Sequence, residues 1–119
     1  MELQQVQSEI EKRIRLLEIG RNELKNRAQR KADTIAEYEK VIAKTILRLH
    51  NGECLKLEDV QVKDPTATTT EKIARGICWK ARLDMELADA EYRNATKGMD
   101  SIMAELNGWQ SISRHQSEH

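Results

Sequence analysis

The feature that most constrains this chain is an unbroken alternation of apolar positions, three and four residues apart, across its C-terminal half. The first row consists of Cys78, Met85, Tyr92, Met99 and Leu106, and the second of Ala74, Ala81, Ala88, Ala95, Ile102 and Trp109. This alternation predicts a helix that packs along a seam, as helices do in coiled coils. Asn107-Gly108 is a dipeptide typical of turns, but a turn there would destroy the register that places Trp109 in its row. We therefore expect one helix over residues 70–113, with a frayed end over residues 114–119.

The N-terminal part of the chain predicts a second long helix over residues 2–50. Its first row is Leu3, Ile10, Leu17, Leu24, Lys31, Tyr38 and Thr45, and its second row is Ile14, Arg21, Ala28, Ile35, Ile42 and Leu49. Arg21 and Lys31 interrupt the rows, and polar residues in a seam can fix register or oligomeric state. Asn51-Gly52 follows the last apolar position and fits a helix C-cap, where glycine adopts the left-handed conformation at little cost.

Residues 53–69 are predicted to connect the two helices through a short β-hairpin and a loop. Leu55 and Leu57 alternate with polar residues, and so do Val60 and Val62. With a two-residue loop between them, Leu57 faces Val60 and Leu55 faces Val62 on one side of the ribbon. An isolated two-stranded ribbon is marginally stable in water, so we expect its apolar face to lie on the helices.

The expected fold is therefore mainly α: an antiparallel long helical hairpin or coiled coil with a short β-hairpin in the connection. A chain of 119 residues predicts a single domain over residues 1–119. Thr68 and Glu71 have the spacing of a capping box at the start of the second helix. The long connection permits pairing of the helices within one chain or exchange between two chains.

A second apolar stripe lies on another face of the C-terminal helix and consists of Trp79, Leu83, Leu87 and Ala90. One antiparallel partner cannot bury both this stripe and the seam. Contact with the β-hairpin would explain the stripe, but an apolar surface of this length is unusual in a monomer. We therefore favour a protein interface there, and with it an oligomeric helical bundle.

The charge of the chain is zero overall but uneven along the sequence. Residues 12–31 contain eight basic and two acidic side chains. The candidate contacts to phosphate groups in this block are Lys12, Arg13, Arg15, Lys25, Arg27 and Arg30. A solvated helix with ion pairs across the seam is the simpler interpretation. Trp109 and the polar residues after it, up to His115, could likewise contact a nucleic-acid strand, although a seam position explains Trp109 better.

The sequence gives little basis for an enzyme, a cofactor or a metal site. His50, His115 and His119 are scattered, Cys78 lies on an apolar row, and Cys54 has no metal-ligand spacing around it. We therefore expect no catalysis, no cofactor, no metal and no small-molecule substrate. No apolar run is long enough to cross a membrane, and the N-terminus lacks the order of a targeting segment. Two reduced thiols fit a cytoplasmic location.

Residues 50–116 resemble small coiled-coil or helical-hairpin proteins of bacteriophages and prophages of Gram-positive bacteria. The matching pieces are Asn51-Gly52-Glu53, Asp64-Pro65, Glu71 to Ala74, Gly76 to Trp79, Asn107-Gly108 and Gln110 to Ile112. The first helix matches only in type. This resemblance implies a phage early-gene setting in the bacterial host, often beside recombination or replication functions. It transfers no catalytic residue.

Three functional hypotheses follow for a non-catalytic protein of this kind. The first is an accessory factor in phage recombination or replication that binds single-stranded DNA, or its machinery, through the basic block at residues 12–31. The second is an inhibitor or adaptor that binds a host enzyme or an anti-phage defence complex, including a CRISPR-type complex, through Trp79, Leu83 and Leu87. The third is a purely structural scaffold.

Overall fold

The computed structural model describes residues 2–117 of the chain. It is mainly helical, with a short antiparallel hairpin in the connection, which confirms the predicted fold class. The elements in chain order are α1 (Leu3–His50), β1 (Leu55–Leu57), β2 (Val60–Val62), α2 (Ala67–Ile77) and α3 (Trp79–Ser117).

The chain divides into two compact units, and α1 and α3 contribute to both. The first unit combines the chain up to Gln29 with the chain from Ala90 onward, and the second unit is Arg30–Asp89. That the chain folds as a single domain stays a prediction. In the first unit, Arg13 contacts Glu105 and Gly20 faces Met99. Because the partner number falls as the α1 number rises, the two helical segments run antiparallel.

The second unit has the larger apolar core. Leu49, Leu55 and Ala74 are buried together, so α1, β1 and α2 each supply one member of this cluster. Partly buried side chains pack around it, namely Ile42, Ile46, Val62, Ile73 and Ile77. The segments of α1 and α3 in this unit are again antiparallel, because Lys31 pairs with Asp89 and Thr45 contacts Cys78.

The β-hairpin has the predicted register, with Leu55 opposite Val62 and Leu57 opposite Val60. Its two-residue loop includes Glu58 with a φ of 55°, in the left-handed region that hairpin turns require. Leu55 is buried, whereas Val60 is 58% exposed. Leu57, opposite Val60, is half-buried and packs close to Gly76 of α2. The helices therefore cover β1 and leave Val60 of β2 exposed.

Helix α1 ends in a Schellman motif, as the Asn51-Gly52 pair predicts. Gly52 has a φ of 81°, and its N–H donates to the carbonyl of Leu49 at 3.1 Å. The N–H of Glu53 donates to the carbonyl of Arg48, also at 3.1 Å. These two bonds satisfy carbonyl groups that the end of a helix otherwise leaves without partners.

The predicted second row of α1 is wrong in the first unit. Ile14 is 42% exposed, and Arg21 and Ala28 are exposed as well. The buried and half-buried positions lie one residue earlier and are Val6, Arg13, Gly20 and Arg27. Because arginine and glycine are not apolar side chains, a search for apolar positions passes over them and selects the residues next to them. Beyond Arg30 the predicted row holds, since Ile35, Ile42 and Leu49 are half-buried or buried.

The single helix predicted over residues 70–113 has different boundaries. Helix α2 begins at Ala67 with Thr66 as its N-cap, so Thr68 lies inside the helix and the predicted capping box is wrong. Cys78, with φ of −90° and ψ of 22°, separates α2 from α3. Both predicted rows nevertheless remain buried or half-buried across this irregular residue.

The other end of this helix also differs from the prediction. Helix α3 continues to Ser117, so residues 114–117 are helical, whereas residues 118 and 119, including His119, lie outside the described part of the chain. The helix passes through Asn107-Gly108 without reversing, and Trp109 is half-buried as its seam position predicts. Ser113 and Gln116 extend the half-buried face by one more turn.

Candidate protein-docking face

Three large apolar side chains lie exposed on successive turns of α3 in the second unit. Trp79 is 57% exposed, Leu83 45% and Leu87 50%. We refer to these three residues as the outer face. Exposed apolar side chains occur elsewhere in residues 2–117, for example at Leu16 and Ile19, and single ones are normal in proteins. Three successive turns on one helix face distinguish the outer face from them.

The position of the outer face follows from the period of the helix. Ala81, Met85 and Ala88 lie on the seam side of α3 and are half-buried or buried. At about 100° per residue, the side chains of Trp79, Leu83 and Leu87 point roughly the opposite way. Because α1 occupies the seam, nothing within this unit covers the other side of the helix.

A groove of about 730 Å³ runs along one flank of the outer face, where α2 meets α3. Its apolar lining comes from Gly76, Trp79 and Leu83, and its polar lining comes from Thr68, Glu71, Lys72, Arg75, Arg82 and Glu86. On the inner side of α2, Leu57 packs close to Gly76: a Cβ atom at Gly76 would lie 3.1 Å from Leu57 Cδ1. The hairpin therefore fixes the position of α2 on one side of the groove.

Two ion pairs line the groove, and sequence reasoning did not single them out. Arg75 Nη2 lies 2.7 Å from Glu71 Oε1, and Arg82 Nε lies 3.2 Å from Glu86 Oε1. Both pairs have the i, i+4 spacing that the sequence displays, which is the signal that could have located them. All four side chains are about half exposed or more, so each pair contributes little to stability. They remain available to a partner.

Ala90 belongs to the predicted stripe but differs from its other three members, so we leave it out of the outer face. It is half-buried and belongs to the first unit, whereas the other three residues belong to the second.

The basic residues predicted to contact phosphate groups have differing environments. Arg27 pairs with Glu23 at 2.8 Å and is half-buried, whereas Lys12, Arg15 and Lys25 are exposed. No ion pair joins these three to another described residue. Arg30 is exposed as well but belongs to the second unit.

Charge in the first unit is balanced despite this basic block. The chain up to Gln29 carries six basic and five acidic side chains, and the chain from Ala90 onward carries three basic and four acidic ones. The formal charges of the unit therefore cancel. A general nucleic-acid binder has a net positive footprint instead.

Arg13 is part of a cluster that sequence reasoning missed. Its guanidinium pairs with Glu9, its Nε lies 3.3 Å from Glu105 Oε2, and its Cζ lies 5.6 Å from the centre of the Trp109 ring. This distance fits a cation–π contact. Arg13 is thus a packing residue between α1 and α3, and Trp109 is a seam residue as predicted.

Within the part of the chain that the structure describes, the nucleophile and metal candidates are not assembled into a metal site. Cys78 is buried with its Sγ 3.2 Å from Thr45 Oγ1, and Thr45 Oγ1 also donates to the carbonyl of Val41 at 2.7 Å. Cys54 is exposed, and both thiols are free. Within residues 2–117, no group of three or more His, Cys, Asp or Glu side chains has the arrangement of a metal site. None of the helices described combines the length and the apolar character needed to span a bilayer.

Comparisons of the chain with protein-family models, with curated proteins and with solved structures give no match.

Proposed function

We propose that this protein acts without catalysis, as a binding protein that docks another protein on its outer face. The observation that carries the proposal is the exposure of Trp79, Leu83 and Leu87 on three successive turns. Burying such side chains against a partner gains about 25 cal/mol for each Å² of apolar surface removed from water. Tryptophan is also among the residues that contribute most to protein interfaces.

The groove beside the outer face supports the same proposal. Its lining combines an apolar strip with guanidinium and carboxylate groups, which resembles the apolar core and polar rim of a protein interface. Among the described residues, no histidine and no cysteine lines it. A partner of matching chemistry is a helix that presents apolar residues along one stripe and charges of both signs at its edges.

Site-specific photo-crosslinking tests this function. A photoreactive phenylalanine analogue replaces Leu87 in the full chain, and a matched variant carries the analogue at Leu47, which is 62% exposed on α1 in the same unit. After irradiation in the cells that contain the protein, we expect the Leu87 variant to yield one defined crosslinked protein and the Leu47 variant to yield none. Equal or absent crosslinking from both positions would contradict the proposal.

We place this binding function in a phage setting, in the cytoplasm of a bacterial host. The support for that setting is the resemblance of residues 50–116 to phage and prophage proteins. An inhibitor or adaptor directed at a host enzyme or a defence complex fits a protein that works through one docking face. A purely structural scaffold would use the same face to build large assemblies of defined size.

Binding of single-stranded DNA in phage recombination or replication is the second candidate function. The observation that favours it is the exposure of Lys12, Arg15 and Lys25 on α1 without ion pairs to described residues. Three phosphate contacts would give retention on single-stranded DNA that falls with salt with a slope of about −2 in log–log terms.

Filter binding at low salt tests this second candidate. The triple variant Lys12→Glu, Arg15→Glu, Lys25→Glu should lose retention, while Lys44→Glu, an exposed change on α1 in the other unit, should keep it. Absence of retention by the wild-type chain at low salt would rule out this function.

A further inference from the structure

The charges beside the outer face identify a partner for it. At about 100° per residue, Lys80 and Asp84 lie on one flank of the line through Trp79, Leu83 and Leu87, and Arg82 and Glu86 lie on the other. The grooves agree with this division: Arg82 and Glu86 line the groove with α2, whereas Lys80 and Asp84 line a separate depression with Thr34 and Glu37 of α1. Each flank thus carries one acid and one base, four residues apart.

We propose that the outer face binds a second copy of this chain, antiparallel, in the register that places Leu83 against its own copy. This inference rests on the proposed function, because it names the protein that the face docks. In this register Trp79 of each chain lies level with Leu87 of the other, so the apolar side chains of one face meet those of its copy. A two-fold axis through Leu83 generates every contact between different residues twice, as in most homodimers.

Charge complementarity selects the antiparallel arrangement. A two-fold axis that reverses the helix direction keeps each flank on its own side of the contact. Lys80 of one chain therefore comes within about one turn of Asp84 of the other, and Arg82 comes within about one turn of Glu86, and each of these opposite-charge contacts occurs twice. Asp84 and Arg82 also approach their own copies, but each of those like-charge contacts occurs only once. Opposite charges across an interface favour the register that brings them together, and like charges disfavour the alternatives.

The existing ion pairs do not oppose this arrangement. Arg82 and Glu86 already pair within one helix at 3.2 Å, but both side chains remain more than half exposed and have donors and acceptors left for the second chain. Lys80 and Asp84 are exposed and have no ion pair with another described residue. Their contacts across the interface would therefore form without breaking an ion pair within either chain.

A charge-swap experiment tests both the partner and the register. Sedimentation equilibrium of the full chain should give twice the monomer mass of 13.7 kDa. Lys80→Glu alone and Asp84→Lys alone should each weaken the dimer by about tenfold or more, because each creates two like-charge contacts. An equimolar mixture of the two variants should restore the dimer. In the mixed pair the introduced glutamate of one chain meets the introduced lysine of the other, and the native Lys80 meets the native Asp84.

The double variant Lys80→Glu, Asp84→Lys should dimerise by itself for the same reason. It also decides the test if a single variant loses helicity in circular dichroism. Lys44→Glu, an exposed charge reversal on α1 away from the outer face, should dimerise as the wild type does.

A monomeric wild-type chain, or single variants whose dimer neither the mixture nor the double variant restores, would overturn the inference. Weakening by Lys44→Glu equal to that of the single variants would overturn it as well. Failure of the inference remains distinct from failure of the proposed function. A crosslink from position 87 to a different protein, together with a monomeric chain, would keep the docking face and reject the second copy. Crosslinks between two copies of the chain would support both.

Discussion

The two units use segments of the same two long helices but stabilise them by different means. In the second unit the predicted apolar row of α1 is the buried row, and Leu49 lies with Leu55 and Ala74 in a core to which the hairpin contributes. In the first unit the predicted row with Ile10, Leu17 and Leu24 also faces inward, but the second inward row contains Arg13, Gly20 and Arg27 in place of the predicted residues.

The difference teaches when an apolar pattern identifies a seam. Where packing depends on burial of aliphatic side chains, the pattern in the sequence and the buried row coincide. Elsewhere packing depends on a guanidinium over an indole ring, as with Arg13 and Trp109, or on a methionine over a glycine, as with Met99 and Gly20. There the apolar pattern indicates residues next to the buried row instead of the buried row itself. We therefore expect the two units to respond differently to substitution.

The largest expected effect is in the core of the second unit. Leu49 is 1% exposed, so Leu49→Ala leaves a cavity and should lower the free energy of unfolding by about 2–5 kcal/mol. Urea denaturation followed by circular dichroism measures this loss. The matched control is Leu47→Ala two residues earlier, which should change stability by less than about 0.5 kcal/mol. Similar losses from both variants would mean that this unit lacks the core described here.

An intermediate effect is expected at Arg13 in the first unit. Arg13→Ala removes the cation–π contact with Trp109 and leaves Glu9 and Glu105 without their shared partner, so stability should fall by about 1–2 kcal/mol. Arg13→Lys keeps the charge but loses the planar group that packs on the ring, and should fall between the wild type and alanine.

The stability of the Arg13 variants is measured by the fluorescence of Trp109 in a Trp79→Phe background. Because Trp109 is then the only tryptophan in the sequence, its signal reports the unfolding of the first unit itself. The control is Arg21→Ala, because Arg21 belongs to the row that the sequence predicted and the structure exposes. It should change stability by less than about 0.5 kcal/mol. A larger loss of stability at Arg21 than at Arg13 would mean that Arg21 faces inward, as the sequence predicted. It would also remove the contrast between the units.

Features set by local rules could be predicted from the sequence. The hairpin register follows from two alternating pairs around a two-residue loop, and the end of α1 follows from Gly52. The two apolar rows of the second predicted helix follow from their spacing, and both stay buried or half-buried from Ala74 across the irregular residue Cys78 to Trp109. In each case a few neighbouring residues carry the whole signal.

Other features depend on contacts that the sequence does not display. Helix α2 starts at Ala67 because the carbonyl of Thr66 accepts from the N–H groups of Thr69 and Thr70, whereas the capping box spacing indicated a start after Thr68. The continuation of α3 to Ser117 depends on packing inside the first unit, because the polar residues there have no apolar period of their own.

The candidate site was predictable only where it depends on the helical period and not on contacts between distant parts of the chain. The exposed stripe at Trp79, Leu83 and Leu87 follows from the helical period once the seam is known. The groove does not, because it depends on the position that Leu57 gives to α2 beside Gly76. The two-sided arrangement of acids and bases around Leu83 becomes informative only when that side of α3 is known to be uncovered.

The smallest expected effect compares two glycines in the first unit. Gly98 has open space where a Cβ would lie, so Gly98→Ala should raise stability by about 0.5–1 kcal/mol through helix propensity alone. A methyl group on Gly20 would overlap the sulfur of Met99, and Met99 would have to leave its position over α1. The gain in propensity should then be cancelled or reversed. Urea denaturation of both variants, with Gly108→Ala as a second open position, measures the difference. Equal gains in stability at all three positions would show that the side chain of Met99 is not held against Gly20. The first unit would then lack the close approach of Met99 to α1 that distinguishes its seam from the seam of the second unit.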